Sequence, residues 1–128
     1  MKIIKIFNNN SIAALSDELG DIILTGSGIG FQKKIGDLVD ESRIEKTYIF
    51  KEKGEKRIRR GINDIEPIYY EITSLLVSKA TEQLNTQFYG EIFLAISDHI
   101  AFAIKRKKEK IDLPNVVLSE TKAIYKNE

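Results

Sequence analysis

Several residue types that carry chemistry are scarce in this chain of 128 residues. It has no cysteine, which excludes disulfides, thiolate zinc sites and cysteine nucleophiles. Its single histidine cannot build a multi-histidine metal site. The composition therefore predicts no metal site and no cofactor, and it argues against an enzyme.

Long apolar runs are also missing. The longest uninterrupted ones are the five-residue runs Ile92 to Ile96 and Ile100 to Ile104, whereas a membrane span needs about 18 residues. The N-terminus, Met1 to Lys5, offers no signal-peptide core, so we expect a cytoplasmic protein without membrane insertion. The net charge of +1 excludes a strong polyanion binder that works by overall charge.

The first half of the chain has the short apolar spacing and the regular turn residues of β-strands. The predicted strands are Lys2 to Phe7, Ser11 to Ser16, Asp21 to Thr25 and Lys46 to Lys51. In the first strand, simple alternation places Ile4 and Ile6 on one face and Ile3 and Phe7 on the other. Because both faces are apolar and so small a sheet has a thin core, we expect it to dimerise through its sheet.

The second half has a helical period. A charged segment, Lys51 to Arg60, marks the change, so the predicted domains are residues 1–55 and 56–128. We expect a short helix at Ile58 to Ile62 and a fourth at Val117 to Tyr125. Between them the predicted apolar stripes are Ile68, Ile72, Leu75, Leu76, Ala80 and Leu84, on a helix beginning near Pro67, and Ile92, Ile96, Ile100, Ala103 and Ile104. The predicted fold class is α+β, an antiparallel four-stranded domain followed by a partial, truncated helical bundle.

A glycine-rich loop, Gly26 to Gly30, follows the third predicted strand. Its third glycine comes one residue too early for the dinucleotide fingerprint, and no phosphate-loop spacing can be drawn. A tight turn that uses glycine for positive φ is one interpretation. The other is suggested by the residues that follow, Phe31, Gln32, Lys33 and Lys34, because an exposed phenyl ring can stack on an unpaired base for about 1–3 kcal/mol.

Three consecutive asparagines, Asn8, Asn9 and Asn10, separate the first two predicted strands. Their amides could read base edges, or they could simply form a hairpin turn. Through Glu55 the chain has eight cations and nine acids, a net charge of −1. A nucleic-acid surface here would need local cations such as Lys5, Lys33 and Lys34, repeated across a dimer.

The single histidine, His99, follows Ser97 and Asp98. Adjacent helical positions point about 100° and 200° around the helix from it, so a Ser-His-Asp triad is excluded. The pattern favours a partly buried structural histidine, with a pH or phosphorylation switch as the alternative. The basic run Lys105 to Lys110 is typical of a solvated helix end.

Five segments together resemble the BglG/SacY-type bacterial transcriptional antiterminators, in which an RNA-binding domain precedes two PTS regulation domains. The segments are Lys2 to Asn10, Gly26 to Asp37, Asp40 to Lys46, Ser97 to Arg106 and Glu120 to Glu128. The resemblance implies a homodimer of small sheets that binds an imperfect RNA hairpin in the leader of sugar-utilisation transcripts. Folding of that hairpin would prevent the terminator from forming.

The resemblance also implies which residues act. The RNA-binding positions are Lys5, Asn8, Asn9, Asn10, Gly26, Ser27, Gly28, Phe31, Gln32 and Lys33, although Ser27 departs from the arginine that is frequent in the family. The helical half is similar to the front of the first regulation domain, where His99 matches a histidine phosphorylated by phosphotransferase-system proteins. The implied partners are the phosphocarrier protein and a sugar-specific enzyme II. The alternative function is a protein-interaction or dimerisation module that docks these proteins without binding RNA.

Overall fold

A computed structural model of the chain describes residues 1–51 and 65–110. Its elements are β1 (Lys2–Asn8), β2 (Ser11–Ser16), β3 (Gly20–Thr25), a single 3₁₀ turn (Glu41–Arg43), β4 (Lys46–Ile49), α1 (Pro67–Leu84) and α2 (Gly90–Lys110). The four strands form one antiparallel sheet in the order β1-β2-β3-β4. The predicted α+β class, an antiparallel sheet followed by helices, is confirmed. The predicted helices at Ile58 to Ile62 and Val117 to Tyr125, and the domain boundary after residue 55, lie outside the described residues.

Strand β1 contains two irregularities that change which of its side chains share a face. Ile3 pairs with Ala14 and Lys5 pairs with Ala13, so the register shifts at Ile4, and a second shift follows Ile6. Such bulges break the strict alternation of a strand. Ile3 and Ile6 consequently pack in one apolar cluster, and Ile4 and Phe7 in the other. The expectation that Ile4 and Ile6 share a face was wrong.

One face of the sheet packs against the two helices. Its buried cluster consists of Phe7, Ala13, Ile23, Tyr48, Phe50, Tyr70, Val77 and Phe93. Phe93 of α2 lies at the centre, with its ring centroid 5.4 Å from Tyr48 and 6.3 Å from Phe7. The Phe7 and Tyr70 rings lie closer still, at 4.5 Å. Aromatic side chains from both halves of the chain thus form one core, which joins the sheet to the helices.

The other face of the sheet is covered by the connection between β3 and β4. Ile29 and Val39 of that connection pack in a cluster with Ile3, Ile12, Ala14, Ile22 and Leu24. Backbone hydrogen bonds fix the connection to β1, including Ile3 N to Asp37 O at 2.9 Å and Gly36 N to Ile3 O at 2.8 Å. Both apolar faces therefore find neighbours within the same chain, and dimerisation through the sheet stays a prediction.

The helices turn different faces inward from those predicted. The buried residues of α1 are Tyr70, Thr73 and Val77, whereas Ile68, Leu75 and Leu84 are more than half exposed. On α2, Phe93, Ser97 and Ala101 are buried and Ile92 is exposed. The helices approach each other through small polar residues, because the Ser97 hydroxyl donates to Thr73 Oγ1 at 2.8 Å. The predicted stripes were wrong in part: aromatic and small residues such as Tyr70, Thr73 and Ser97 face inward, and of the predicted residues Ile96 packs against this core.

Candidate nucleic-acid interface

The asparagine turn and the glycine-rich loop form a single surface. Gly26 N donates to Asn10 O at 3.0 Å, and Gly30 N donates to Asn9 O at 2.8 Å. The Asn10 side chain adds a third bond, because its Oδ1 accepts from Gly28 N at 2.9 Å. We call this surface, residues 8–10 and 26–33, the turn–loop surface. It brings together all the predicted RNA-binding residues except Lys5.

The asparagines have the structural roles of a hairpin turn. Asn10 N donates to Asn8 Oδ1 at 2.8 Å, which closes the turn between β1 and β2. Asn9 is exposed, while Asn8 and Asn10 are half-buried. The turn interpretation is therefore confirmed, and base-edge recognition by the same amides stays a prediction.

Two of the loop glycines are required by local geometry, one because space is lacking and the other because of its backbone conformation. A Cβ at Gly30 would lie 2.5 Å from Asn8 O. Gly28 has φ +74°, a conformation that L-residues with side chains rarely adopt. A larger residue at position 30 would push the loop away from the asparagine turn, and one at position 28 would strain the loop backbone.

Phe31 lies on this loop with its ring in solvent. Its side chain is 55% exposed, and its backbone N donates to Gly28 O at 3.1 Å. The next residue, Gln32, is exposed and has φ +56°, an uncommon conformation for a non-glycine residue. A ring that the loop holds outside the hydrophobic core is available for stacking, as expected from the glycines and polar residues around it.

The free ends of two asparagine amides contact helix α1. Asn8 Nδ2 donates to Pro67 O at 3.1 Å, and Asn10 Nδ2 donates to Glu71 Oε2 at 3.4 Å. A cavity of about 450 Å³, lined by Asn10, Gly26, Ser27, Glu45 and Glu71 among others, lies between the helix and the loop. Sequence reasoning missed these contacts, because 59 and 61 residues separate the partners and no local pattern connects them.

The predicted cations differ in their surroundings. Lys33 on the loop is half-buried and Lys34 is exposed. Lys5 is also half-buried, but it lies within β1, paired with Ala13.

A further cation, Arg43, which is not among the predicted site residues, lies against the glycine loop. Its Nη1 donates to Ser27 O at 3.3 Å, and its Nε donates to Asp40 Oδ2 at 3.2 Å. The Ser42 hydroxyl donates to Asp40 Oδ1 at 2.6 Å, and this bond is the main cause that lowers the pKa of Asp40; the Ser42 backbone N–H and Arg43 add to it. No local sequence pattern pairs Arg43 with the loop.

His99 lies away from the turn–loop surface, on α2, and its side chain is exposed. The expectation of a partly buried histidine was wrong, because α2 buries Ser97 and Ala101 and turns His99 outward. Ser97 Oγ bonds to Thr73, which agrees with the exclusion of a triad. The basic run begins on the same helix, where Lys105, Arg106 and Lys108 are exposed, as predicted for a solvated helix end.

The described part of the chain also bears on metal binding and on membrane insertion. Across residues 1–51 and 65–110, no group of three or more His, Cys, Asp or Glu residues could hold a metal ion. No helix in that part of the chain is both long and apolar enough to span a membrane.

Comparisons with known proteins match both halves of the chain. Residues 1–57 match the family model of the CAT RNA binding domain, and residues 74–128 match that of the PRD domain. The transcription antiterminator LicT of Bacillus subtilis (strain 168) is 37% identical over 129 residues, which cover 100% of this chain and 47% of LicT. The chain thus spans about half the length of this relative.

Two solved structures are also similar. The crystal structure of GlcT CAT-PRDI is 30% identical, with a TM-score of 0.56, over 97% of this chain and 74% of that one. The structure of the LicT antiterminator in complex with its RNA target is 45% identical, with a TM-score of 0.39, over 41% of this chain and 96% of that one.

Proposed function

This chain belongs to the family of transcription antiterminators that join a CAT RNA-binding domain to a PRD domain, and on that basis we propose that it binds an antiterminator RNA hairpin through its turn–loop surface. The hairpin lies in the leader of a sugar-utilisation transcript. By holding the hairpin folded, the protein prevents the terminator from forming, and transcription continues. It acts in the cytoplasm and carries out no catalytic step.

The observation that carries this proposal is the exposed ring of Phe31 on a loop braced by the asparagine turn. An aromatic ring that is 55% exposed on a loop fixed by three hydrogen bonds to the turn needs no rearrangement to receive a base. Sequence-specific RNA recognition uses such rings, because unpaired bases in bulges and loops stack on them. The ring therefore selects hairpins with unpaired nucleotides over fully paired ones.

The remaining side chains supply polar contacts around that ring. Asn8, Asn9, Asn10 and Gln32 carry amides that can pair with base edges, and Lys5 and Lys33 reach phosphates. Gly26 and Gly28 shape the loop that carries these contacts, because Arg43 fills the space that a Cβ would take at either position. Ser27 is exposed but uncharged, so it adds a hydroxyl and no cation to this surface.

The protein acts as a homodimer, and two turn–loop surfaces grip one hairpin. The antiparallel order leaves β1 and β4 as the outer strands of the sheet, and the apolar side chains of Leu15 and Leu19 are exposed. Exposed apolar side chains of this kind favour association. The RNA-binding domain comprises residues 1–55, and the regulatory part comprises residues 56–128.

Regulation acts through His99, which the phosphocarrier protein or a sugar-specific enzyme II phosphorylates. Its exposure on α2 lets a phosphotransferase approach the imidazole. A phosphoryl group adds about −1.5 to −2 charge there, directly after Asp98 in the sequence. The added like charge favours rearrangement of the helical part and so changes the RNA-binding dimer.

Replacing Phe31 with alanine tests the proposal. We expect Phe31→Ala to bind the RNA target of LicT about 5- to 150-fold more weakly, since stacking contributes about 1–3 kcal/mol per base. Ile35→Ala is the matched control. Ile35 is 71% exposed on the same connection, so its replacement by alanine removes a similar apolar area. Binding is measured by fluorescence anisotropy with labelled RNA, beside a fully paired hairpin of equal length.

Equal losses in the two variants would contradict the role of the ring. A wild-type chain that does not distinguish the LicT target from the paired hairpin would contradict RNA recognition altogether. The chain would then be a module that docks phosphotransferase proteins, and a pull-down with the phosphocarrier protein would show it.

A further inference from the structure

The glycines at positions 26 and 28 make room for Arg43. A Cβ at Gly26 would overlap the carbonyl oxygen of Arg43, and a Cβ at Gly28 would lie 2.7 Å from Arg43 Nη1. Both glycines are thus in contact with one residue, 15 or more positions further along the chain. At Gly26 the neighbour is the main chain of residue 43, and at Gly28 it is the guanidinium itself, so the loop lies directly against an exposed arginine side chain.

The guanidinium of Arg43 is fixed on one side and open on the other. It donates to Ser27 O through Nη1 and to Asp40 Oδ2 through Nε, yet its side chain is 53% exposed. An arginine has five N–H donors, so three remain for an outside acceptor. Asp40 also accepts from Ser42, which anchors the carboxylate in its turn.

This arrangement differs from an ordinary surface ion pair. Exposed pairs contribute little to stability, because two long side chains must be ordered in water. Here the arginine is ordered by a backbone carbonyl of the glycine loop as well as by a carboxylate. An arginine whose fork is already oriented loses less entropy when it binds a planar or tetrahedral anion.

We propose that Arg43 is a phosphate-binding residue of the turn–loop surface, which contacts the RNA backbone where it crosses Gly26, Ser27 and Gly28. This inference rests on the proposed RNA-binding function. Charge-assisted bonds from arginine to phosphate are often bidentate, and the free Nη donors of Arg43 allow such a pair. Asp40 is a positioning residue, because its carboxylate binds Nε of Arg43 and does not occupy the Nη donors.

The salt dependence of RNA binding separates a phosphate contact from a loop support. Each phosphate that a protein neutralises adds about 0.7 to 0.9 to the slope of log affinity against log salt. We therefore expect Arg43→Gln, in the full chain, to bind the RNA target of LicT more weakly and with a slope smaller by about 0.7 to 0.9 per protomer. Anisotropy titrations between about 50 and 200 mM salt measure both quantities.

Two variants control for charge and for shape. Lys79→Gln removes the same charge from an exposed position on α1, and its slope should match that of the wild type. Arg43→Lys keeps the charge but loses the fork, so we expect the wild-type slope with reduced affinity. Circular dichroism of each variant checks that the sheet and the helices are folded.

Three outcomes would overturn the inference. Arg43→Gln could match Lys79→Gln in affinity and slope, which would place Arg43 outside the interface. It could lose affinity at an unchanged slope, which would make Arg43 a support for the loop only. A wild-type chain that does not bind the RNA target would refute the proposed function, and the role of Arg43 with it.

Discussion

Tyr48 of β4 places a hydroxyl in the core between the sheet and the helices. The residue is 3% exposed, and its hydroxyl has no hydrogen-bond partner among the described residues. Burial raises the pKa of the Tyr48 hydroxyl above its ordinary value of 10.0, because the phenolate would lose its hydration. An unsatisfied buried hydroxyl costs about 1–3 kcal/mol, so the Tyr48 hydroxyl, unlike the ring that carries it, lowers the free energy of unfolding.

We expect Tyr48→Phe to raise the free energy of unfolding by about 1 kcal/mol at neutral pH, since it removes that hydroxyl and keeps the ring. The raised pKa also has a pH signature. The contribution of a neutral Tyr48 is fully present below pH 10.0, the ordinary pKa, and it is lost as the pH rises from there through the raised folded value. Urea unfolding of wild type and variant from neutral pH to above pH 10 measures both effects.

The variant should lose less stability than the wild type across this alkaline range. Tyr89→Phe is the control, because Tyr89 is 43% exposed and its replacement should change the free energy of unfolding little. A Tyr48→Phe chain less stable than the wild type would show that the hydroxyl is satisfied in solution.

The sequence predicted the surroundings of some individual residues correctly and those of others not at all. Phe31 was expected outside the core, because glycines and polar residues surround it, and it is exposed. His99 was expected to be half-buried because it lies beside the predicted apolar stripe of the third helix. The buried residues of that helix include Ser97 and Ala101 instead, and His99 faces outward. Arg43 gave no signal, since its contact with Ser27 depends on the path of the whole connection between β3 and β4.

Helix α1 contacts the asparagine turn through the amide groups that the proposed function assigns to the RNA. The Glu71 carboxylate accepts from Asn10 Nδ2, and the Pro67 carbonyl accepts from Asn8 Nδ2. The same amide groups are the candidates for base recognition. A carboxylate beside the turn also repels an approaching phosphate. Under the proposed function, the turn must release α1 or share its amides with it when RNA binds.

We expect Glu71→Gln to bind the RNA target of LicT several-fold more tightly than the wild type. The substitution removes a charge-assisted acceptor from Asn10 and a negative charge from the edge of the turn–loop surface. Glu82→Gln is the control, because Glu82 is exposed near the other end of the same helix and carries the same charge. The anisotropy assay described for Phe31 measures the change. Equal affinities of the two variants would show that α1 does not compete with the RNA.

The strands were predictable from sequence, and the orientation of the helices was not. Strand bounds follow from β-branched runs and turn residues, so each predicted strand agrees with the observed one to within two residues. Helix orientation depends on which residues fit the partner surface. Tyr70 and Phe93 pack on the sheet, and Thr73 meets Ser97 at the helix contact. A stripe drawn through aliphatic residues alone leaves out the aromatic and small polar residues that make these contacts.

The sheet and the helices share one hydrophobic core, and Phe93 is its most central side chain. Phe93 is fully buried and lies within ring-contact distance of Phe7, Tyr48 and Tyr70. A shared core couples elements that are far apart in sequence. If the helices leave the sheet, the apolar faces of both become exposed to water. We therefore expect β2, β3 and both helices to unfold in one transition.

Replacing Phe93 with alanine should cost about 3–5 kcal/mol, the range for deleting a buried phenyl ring. Hydrogen exchange should show the loss in the amides of β2 and β3 as well as in those of α2. Phe102→Ala is the matched control, because Phe102 is 59% exposed on the same helix. Loss of protection confined to the helices would show that the sheet folds independently of them.

The central claim is that the ring of Phe31 stacks on an unpaired base of an RNA hairpin. NMR tests it most directly, with isotope-labelled chain bound to the RNA target of LicT and intermolecular NOEs collected from the Phe31 ring. The account predicts NOEs from the ring protons to base protons of an unpaired nucleotide, absent when the RNA is a fully paired hairpin. A ring that shows NOEs only to its own chain, while the RNA contacts other residues, would contradict it.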